Sequence, residues 1–393
     1  MKIVQINSTC GSGSIGKICN AVSQLLTEHN IENYILYTLG QSDYPLGINC
    51  GSVLETRWYA LKSRICGNYG FNAIKSTKRI VRELDRISPD IVHIHNIHSH
   101  DCDFSELFQY LKERRIKVFY TFHDCWAFTS YCMYFDAVNC GKWKTGCYDC
   151  PQRRKYSWFF DRSKELYQKK KQSLAGSDLT IITPSEWLSN LTKKSFLKEC
   201  QVKTINNGID LSVFKPTESD FRKRYNIEGK FVILGVASIW EKRKGLDTFI
   251  NLSMQLSNDF CIVLVGTTNK IDKLLPNNII SIHRTESQKQ LAEIYSAADV
   301  FVNPTMEENF PTVNIESIAC GTPVITYNTG GSAEMLNEQC GIVVKRGDLK
   351  SLLCEILSIQ CGKRFNPSSC VNRAREYNQN IKFNEYLELY NIL

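Results

Sequence analysis

The stretch Val302-Asn303-Pro304-Thr305-Met306-Glu307-Glu308-Asn309-Phe310-Pro311-Thr312-Val313-Asn314-Ile315-Glu316-Ser317-Ile318-Ala319-Cys320-Gly321-Thr322-Pro323-Val324-Ile325 decides the fold. An apolar run ends at Asn303, an acidic loop follows, Pro311 opens a helix near its first position, and Gly321 closes that helix before a second apolar run. Strand, loop, helix and strand in this order form the unit of a parallel sheet, whose ligands gather beyond the carboxyl ends of the strands. Glu308 then sits in the loop ahead of the helix, and Glu316 lies about a turn inside it.

Working outward, the same rhythm fills the second half of the chain. Strands are expected at Phe231–Ala237, Cys261–Gly266, Ile279–Ile282, Val300–Asn303 and Val324–Tyr327, with helices at Leu246–Leu256, Gln288–Ala297 and Thr312–Ala319. The first half repeats it. Strands are expected at Lys2–Asn7, Tyr34–Thr38, Ile91–His95, Val118–Phe122 and Leu179–Thr183, and helices at Lys17–Glu28, Thr77–Ile87, Ser105–Arg114, Lys164–Leu174 and Glu186–Phe196. Turn residues accumulate at Ile205-Asn206-Asn207-Gly208-Ile209-Asp210. The expected class is therefore α/β, with two Rossmann-like, doubly wound parallel-sheet domains facing across a cleft. The first domain covers 1–205, with a Cys-rich insertion at 124–155; the second covers 206–375; and residues 376–393 are expected to form a helix that packs back on the first domain.

The 393 residues, 43% of them hydrophobic, supply cores for about two or three such domains. The opening Met1-Lys2-Ile3-Val4-Gln5-Ile6-Asn7 is too short and mixed for a secretory leader, and no apolar run is long enough to span a bilayer. Charge is uneven: residues 1–200 hold 27 Lys and Arg against 19 Asp and Glu, whereas residues 201–393 hold 21 of each. A basic half suits an anionic partner, a membrane surface, lipid-linked phosphate or nucleic acid, or is simply a solvated face. Arg153-Arg154-Lys155 and Lys169-Lys170-Lys171 are its densest clusters. Seventeen cysteines, an odd number without a leader, read as reduced thiols.

Several loops carry candidate chemistry. Carboxylates such as Glu308 and Glu316 accept hydrogen bonds from sugar hydroxyls, and free N–H groups at a helix start attract phosphate. Asn309, Phe310, Pro311 and Thr312 lie at that helix start. In Leu234-Gly235-Val236-Ala237-Ser238-Ile239-Trp240-Glu241-Lys242-Arg243-Lys244-Gly245-Leu246, a strand runs through a basic loop into a helix, and Arg243 and Lys244 are placed to stabilise a departing diphosphate. Gly11, Gly13 and Gly16 form a Gly-x-Gly-x-x-Gly loop after the first strand, which lets the backbone approach a ligand. Glu32 stands where a dinucleotide-binding domain places its ribose-binding acid, so the loop alone also allows a dehydrogenase.

These motifs together resemble those of the large retaining glycosyltransferase family 4, over nearly the whole chain. Glu308 and Glu316 match its Glu-x7-Glu motif, and Thr329-Gly330-Gly331 with Glu334 and the 205–210 segment are similar to further family features. The resemblance implies a nucleotide-diphosphate sugar as donor, Glu308 on the donor sugar, Glu316 on the ribose, and the glycine loop over the donor phosphates and the acceptor. It implies that Lys244 and a family arginine neutralise the diphosphate. Val236 occupies the usual position of that arginine, and Arg243 is the substitute. His123, at the end of Phe119-Tyr120-Thr121-Phe122-His123, matches the family histidine near the donor sugar. Its implied role is positioning and electrostatic, because the retaining reaction uses no protein nucleophile.

The implied reaction moves a hexose to a hydroxyl of a glycan or lipid-linked glycan in polysaccharide biosynthesis. It would occur in the cytoplasm, free or peripherally at the inner face of the cell membrane through the basic N-terminal half, without nucleic acid. A nicotinamide-dependent oxidoreductase, a nucleotide-sugar epimerase and a non-catalytic zinc-stabilised binding module remain as alternatives. No catalytic metal is expected: His93-Ile94-His95-Asn96-Ile97-His98 fits a hydrolase metal motif poorly, and Asp101-Cys102-Asp103 reads as a helix cap. Cys132, Cys140, Cys147 and Cys150 instead have the spacing of a structural zinc site, with unliganded thiols and disulfides as the other readings.

Overall fold

The computed structural model describes residues 1–98, 100–362 and 364–392, and the chain divides into two units, Met1–Ile205 with Phe383–Leu393, and Asn206–Lys382. Unit one holds strands β1 (Lys2–Asn7), β2 (Glu32–Tyr37), β3 (Gly47–Asn49), β4 (Ile91–Ile94), β5 (Lys117–Thr121), β6 (Leu179–Thr183) and β7 (Gln201–Thr204). They form one sheet in the order β3-β2-β1-β4-β5-β6-β7, and the paired neighbours run parallel. Unit two holds β8 (Phe231–Val236), β9 (Phe260–Val265), β10 (Ile279–Ile282), β11 (Val300–Asn303), β12 (Val324–Tyr327) and β13 (Gly341–Val344), in the order β10-β9-β8-β11-β12-β13, again parallel. Both sheets switch direction beside their first strand, β1 or β8, which is the doubly wound arrangement.

Central strands such as β4, β6 and β11 are buried along their whole length, as helices on both faces of a parallel sheet require. In unit one, the helix Ile74–Ile87 turns Ile80, Leu84 and Ile87 into the core while its charged residues stay outside. The C-terminal helix Gln379–Leu389 brings Phe383, Tyr386 and Leu387, with Tyr390 beyond it, onto Ile3, Ile91, Phe119 and Ile182. Residues 376–382, by contrast, stay with unit two, because Ile209 bridges Asn378 and the Gln379 amide donates to the Ile209 carbonyl.

Between β5 and the helix Ser163–Leu174, the chain makes three short 3-10 turns and the four-residue helix Arg153–Tyr156. This is the Cys-rich insertion. Its aromatic residues join the core of unit one, and Trp143 lies between Phe128 and Phe135 at centroid distances of 5.3 and 5.0 Å.

Candidate active site

In unit two, three loops leave the carboxyl ends of β8, β11 and β12 and are tied to one another. The Met306 amide donates to the Arg243 carbonyl at 2.8 Å, and the Arg243 guanidinium donates to the Glu307 carbonyl at 2.9 Å. The Lys244 ammonium forms an ion pair with the Glu308 carboxylate, both side chains being mostly buried. From the β12 side, Thr329 Oγ1 donates to the Thr305 carbonyl at 2.7 Å, and the Gly331 amide donates to the Asn309 carbonyl at 2.8 Å. Gly330 has φ +55°, and a Cβ at that position would collide with the Glu308 carbonyl oxygen. Only glycine permits both that backbone conformation and that approach.

The helix Thr312–Ala319 starts behind this knot. Pro311 is its N-cap residue and supplies no side-chain cap to the first amides. Such a start suits an anion, since the leading N–H groups and the helix dipole converge there. Phe310 and Asn309 are buried, with Phe310 against Tyr377 at 5.9 Å. They shape the loop from within, while Thr312 and Glu316 keep partial exposure. Glu316 accepts a hydrogen bond from the buried Tyr295 hydroxyl at 3.2 Å, which fixes the carboxylate on its helix. The motif alone gave no sign of Tyr295, which comes from the neighbouring helix Gln288–Ser296.

Lys244 and Glu308 are thus brought together, and Arg243 contributes to the same knot. Arg243, however, spends hydrogen bonds on the Glu307 carbonyl and the Glu241 carboxylate, and so braces the loop. Val236 lies within β8 as its last residue, and a Cβ on the preceding Gly235 would collide with Phe249 and Leu264.

In unit one, Gly11 and Gly13 both have positive φ, and the Gly11 amide donates to the Gly16 carbonyl at 3.2 Å, closing the loop at the start of the helix Gly13–Glu28. Glu32 does not serve this loop. It is the first residue of β2, in register with Lys2 and ion-paired with it at 3.4 Å, and so stands at the opposite end of the sheet from the glycines. The dinucleotide reading of the loop therefore loses its ribose-binding acid, which belongs at the carboxyl end of the second strand.

His123 follows β5, and its Nε2 meets His95 Nδ1 at 3.2 Å; His95 Nε2 in turn meets Gln5 Oε1 at 3.2 Å. Burial lowers the His123 pKa to about 4, with the neighbouring Asp124 opposing the shift. The imidazole is accordingly neutral near pH 7 and acts through hydrogen bonds rather than charge. His98 pairs with Asp124 at 2.8 Å, and His93 is held by Thr121 and by the Tyr390 hydroxyl. Asp103 caps the helix Phe104–Glu113 by accepting from the Ser105 and Glu106 amides, and Asp101 accepts from Ser8 and Thr38 hydroxyls. These side chains order the strand ends.

Residues 35–213 match the family model described as Glycosyltransferase Family 4, and residues 230–360 match the model described as Glycosyl transferases group 1. WcaC of Escherichia coli K12, named as a colanic acid biosynthesis glycosyl transferase, is 22% identical over 90% of this chain and 89% of its own. The N,N'-diacetylbacillosaminyl-diphospho-undecaprenol alpha-1,3-N-acetylgalactosaminyltransferase of Campylobacter jejuni is 27% identical over 52% of this chain and 57% of its own. Among solved structures, sucrose-phosphate synthase from Thermosynechococcus elongatus superposes with a TM-score of 0.73 at 17% identity, covering 99% of this chain and 98% of its own. Anabaena HepE in complex with UDP-glucose superposes with a TM-score of 0.72 at 13% identity over the whole of both chains. With its two Rossmann-like domains and matches to both family models, the chain is an enzyme of the family 4 type of glycosyltransferases.

Proposed function

We propose that the chain transfers a hexose, with retention of anomeric configuration, from a nucleotide-diphosphate sugar to a hydroxyl of a glycan or lipid-linked glycan in surface-polysaccharide assembly. The observation that carries this reading is the Lys244–Glu308 pair, seated ahead of the helix Thr312–Ala319, whose first amides lack a side-chain cap. Leaving-group departure builds charge on a diphosphate oxygen, and a cation already fixed in place stabilises that charge without reorganising at the moment of reaction. Glu308 has the acceptor oxygens to grip sugar hydroxyls, and Glu316 those to grip a ribose. His123, uncharged, serves as a hydrogen-bonding group. WcaC and the Campylobacter enzyme support the polysaccharide and lipid-linked setting by their names, and the HepE complex supports a nucleotide-sugar donor.

Incubating the protein with UDP-, GDP- and ADP-sugars and an acceptor extract tests the proposal, with nucleoside diphosphate released only when acceptor is present. Turnover of a donor without any acceptor would favour an epimerase instead. Within this reading, Glu316→Ala raises the donor KM by about tenfold to a hundredfold with a smaller change in kcat, the cost of one hydrogen bond to a charged group. Tyr295→Phe, which only frees the carboxylate to rotate, raises KM by a few-fold, and steady-state kinetics over a donor titration distinguish the two.

Peripheral membrane contact belongs to the same proposal, and a specific surface supports it. On the helix Val53–Cys66, the residues Leu54, Trp58, Leu61 and Ile65 form one stripe, yet they face outward and are between 39% and 76% exposed. The neighbouring Trp158, Phe159 and Phe160 are also exposed, and the Trp158 amide donates to the Arg64 carbonyl, so the two features adjoin. Arg57, Arg64, Arg154 and Lys155 are exposed among them. An apolar, aromatic stripe edged by cations suits the interface of an anionic bilayer. Vesicles containing anionic phospholipid are expected to sediment the protein and neutral vesicles to leave it in solution. The combined Trp58→Ser, Phe159→Ser and Phe160→Ser variant should bind at least about a hundredfold more weakly while releasing nucleotide normally with a soluble acceptor. Equal binding by that variant would discard this surface.

A further inference from the structure

The Cys-rich stretch Cys132–Cys150 supplies no group to the transfer chemistry described above, and it contains an unusual arrangement of thiols. Cys132, Cys140, Cys147 and Cys150 come from separate turns of the insertion, yet all four line a single small cavity walled by Phe135 and Trp143. The Cys132 and Cys150 thiols are hydrogen-bonded to one another.

The polar groups around this cavity are arranged for negatively charged sulfur. Gln152 Nε2 donates to Cys132 Sγ at 3.4 Å, the Gln152 amide donates to Cys150, and the Ser130 hydroxyl and amide donate to Cys147. Neutral thiols are weak acceptors, so several donors converging on three of four sulfurs is the pattern a thiolate cluster uses. Behind the cluster lies Lys170, fully buried, its ammonium donating to the carbonyls of Trp126, Thr129 and Ser130 at 2.6, 2.9 and 3.1 Å. Burial disfavours the charge on Lys170 and drives its pKa well down, and Cys147, Asp124 and Cys132, in that order, oppose the shift. A zinc tetrathiolate is a dianion, and it would favour the charged form of Lys170.

We propose that Cys132, Cys140, Cys147 and Cys150 bind one zinc ion that holds the insertion in its fold. Four thiols give up their protons to solvent, four Zn–S bonds form, and Lys170 with the Ser130 and Gln152 donors stabilises the charge that results. Among the described residues, no group of three or more His, Cys, Asp or Glu already stands in metal-holding geometry, so ligation draws the thiols inward onto the cavity they share. Only loops and two short 3-10 turns separate them, and rotation of side chains on such a backbone is inexpensive. The aromatic residues of this long segment are anchored in the unit-one core, but its cysteine-bearing turns contain no strand, and such a cross-link fixes them.

The test is metal content of the full chain, expressed in zinc-supplemented medium and desalted under reducing conditions. Mass spectrometry is expected to find stoichiometric zinc, and cobalt(II) offered to the stripped protein should give the absorption bands of a tetrahedral thiolate site. Cys140→Ser and Cys147→Ser should lose the metal, whereas Cys354→Ser, on an exposed thiol of the helix Leu349–Cys361, should keep it. The unmodified chain supplies the first two readouts, so the proposal stays falsifiable even where a cysteine variant fails to fold. Zinc-free protein whose four thiols are freely alkylated in the folded state, or a disulfide between any two of them in protein kept reduced, would overturn the proposal. Neither outcome bears on the roles proposed for Lys244, Glu308 and Glu316, which lie in unit two.

Discussion

Lys244→Ala is expected to lower kcat for nucleotide-sugar turnover by about 10²–10³-fold while leaving the donor KM within a few-fold of wild type, the signature of a group that acts mainly as charge develops. The ammonium is mostly buried and already held by the Glu308 carboxylate, so the charge is in place before the diphosphate leaves. Its loop is fastened to the loop of Glu308 by the Met306 amide and the Arg243 guanidinium, so neither partner moves independently. Lys244→Arg keeps the charge but not the length or the point-like ammonium, and partial recovery of kcat is the expected result. Initial rates of nucleoside diphosphate release at saturating donor provide the measurement. Wild-type kcat for Lys244→Ala would show that the cation stands off the reaction path.

A second large effect is expected at a residue that contacts no substrate. Gly330→Ala should cost about 3 kcal/mol or more, combining an unfavourable left-handed backbone with a steric collision, and should lower the unfolding midpoint of unit two by roughly 6–12 °C. The collision is with the Glu308 carbonyl oxygen, so whatever part of the clash is relieved by backbone movement displaces Glu308 itself. Activity should therefore fall further than stability alone accounts for. Gly229→Ala is the comparison, since Gly229 has φ +79° but open space around its Cβ direction. It carries the backbone strain without the collision, and the difference between the two variants in thermal melts and kcat/KM isolates the contact with Glu308. Matching losses in both variants would remove the claim that this glycine sets the site.

Where the sequence was informative, the physical signal was strong. Fully buried parallel strands such as β6 are short apolar runs, and Leu179–Thr183 was readable to the residue. The acidic loop, Pro311 and Gly321 defined the strand–helix–strand unit of the site because proline and glycine act through the backbone. Among the edge strands, β10 was readable at Ile279–Ile282, whereas β3 and β7 left little trace. β7, Gln201–Thr204, alternates between exposed and half-buried positions, and β3 has only three residues. The helix Val53–Cys66 carries no such signal, because its apolar stripe faces outward while Ser63 is buried, the reverse of the pattern that marks a helix on a core.

The candidate site was legible only as a set of residues, not as an arrangement. Glu308, Glu316 and Lys244 could be named from motif spacing, but spacing cannot reveal that Tyr295 orients Glu316 from another helix, or that Gly330 presses on the Glu308 backbone. Nor could it show that Arg243 directs its guanidinium to a carbonyl. Glu32 misled because distance along the chain resembled a ribose-binding acid, whereas sheet register puts it at the wrong end of its strand.

The sharpest experiment is a crystal structure of the full chain with the nucleoside diphosphate that the donor screen identifies. The pyrophosphate should rest on the first amides of the helix Thr312–Ala319 with the Lys244 ammonium against it, and the ribose hydroxyls should bond to Glu316. A diphosphate bound elsewhere, with Lys244 and Glu316 both out of reach, would contradict the assignment of these residues and the mechanism built on them.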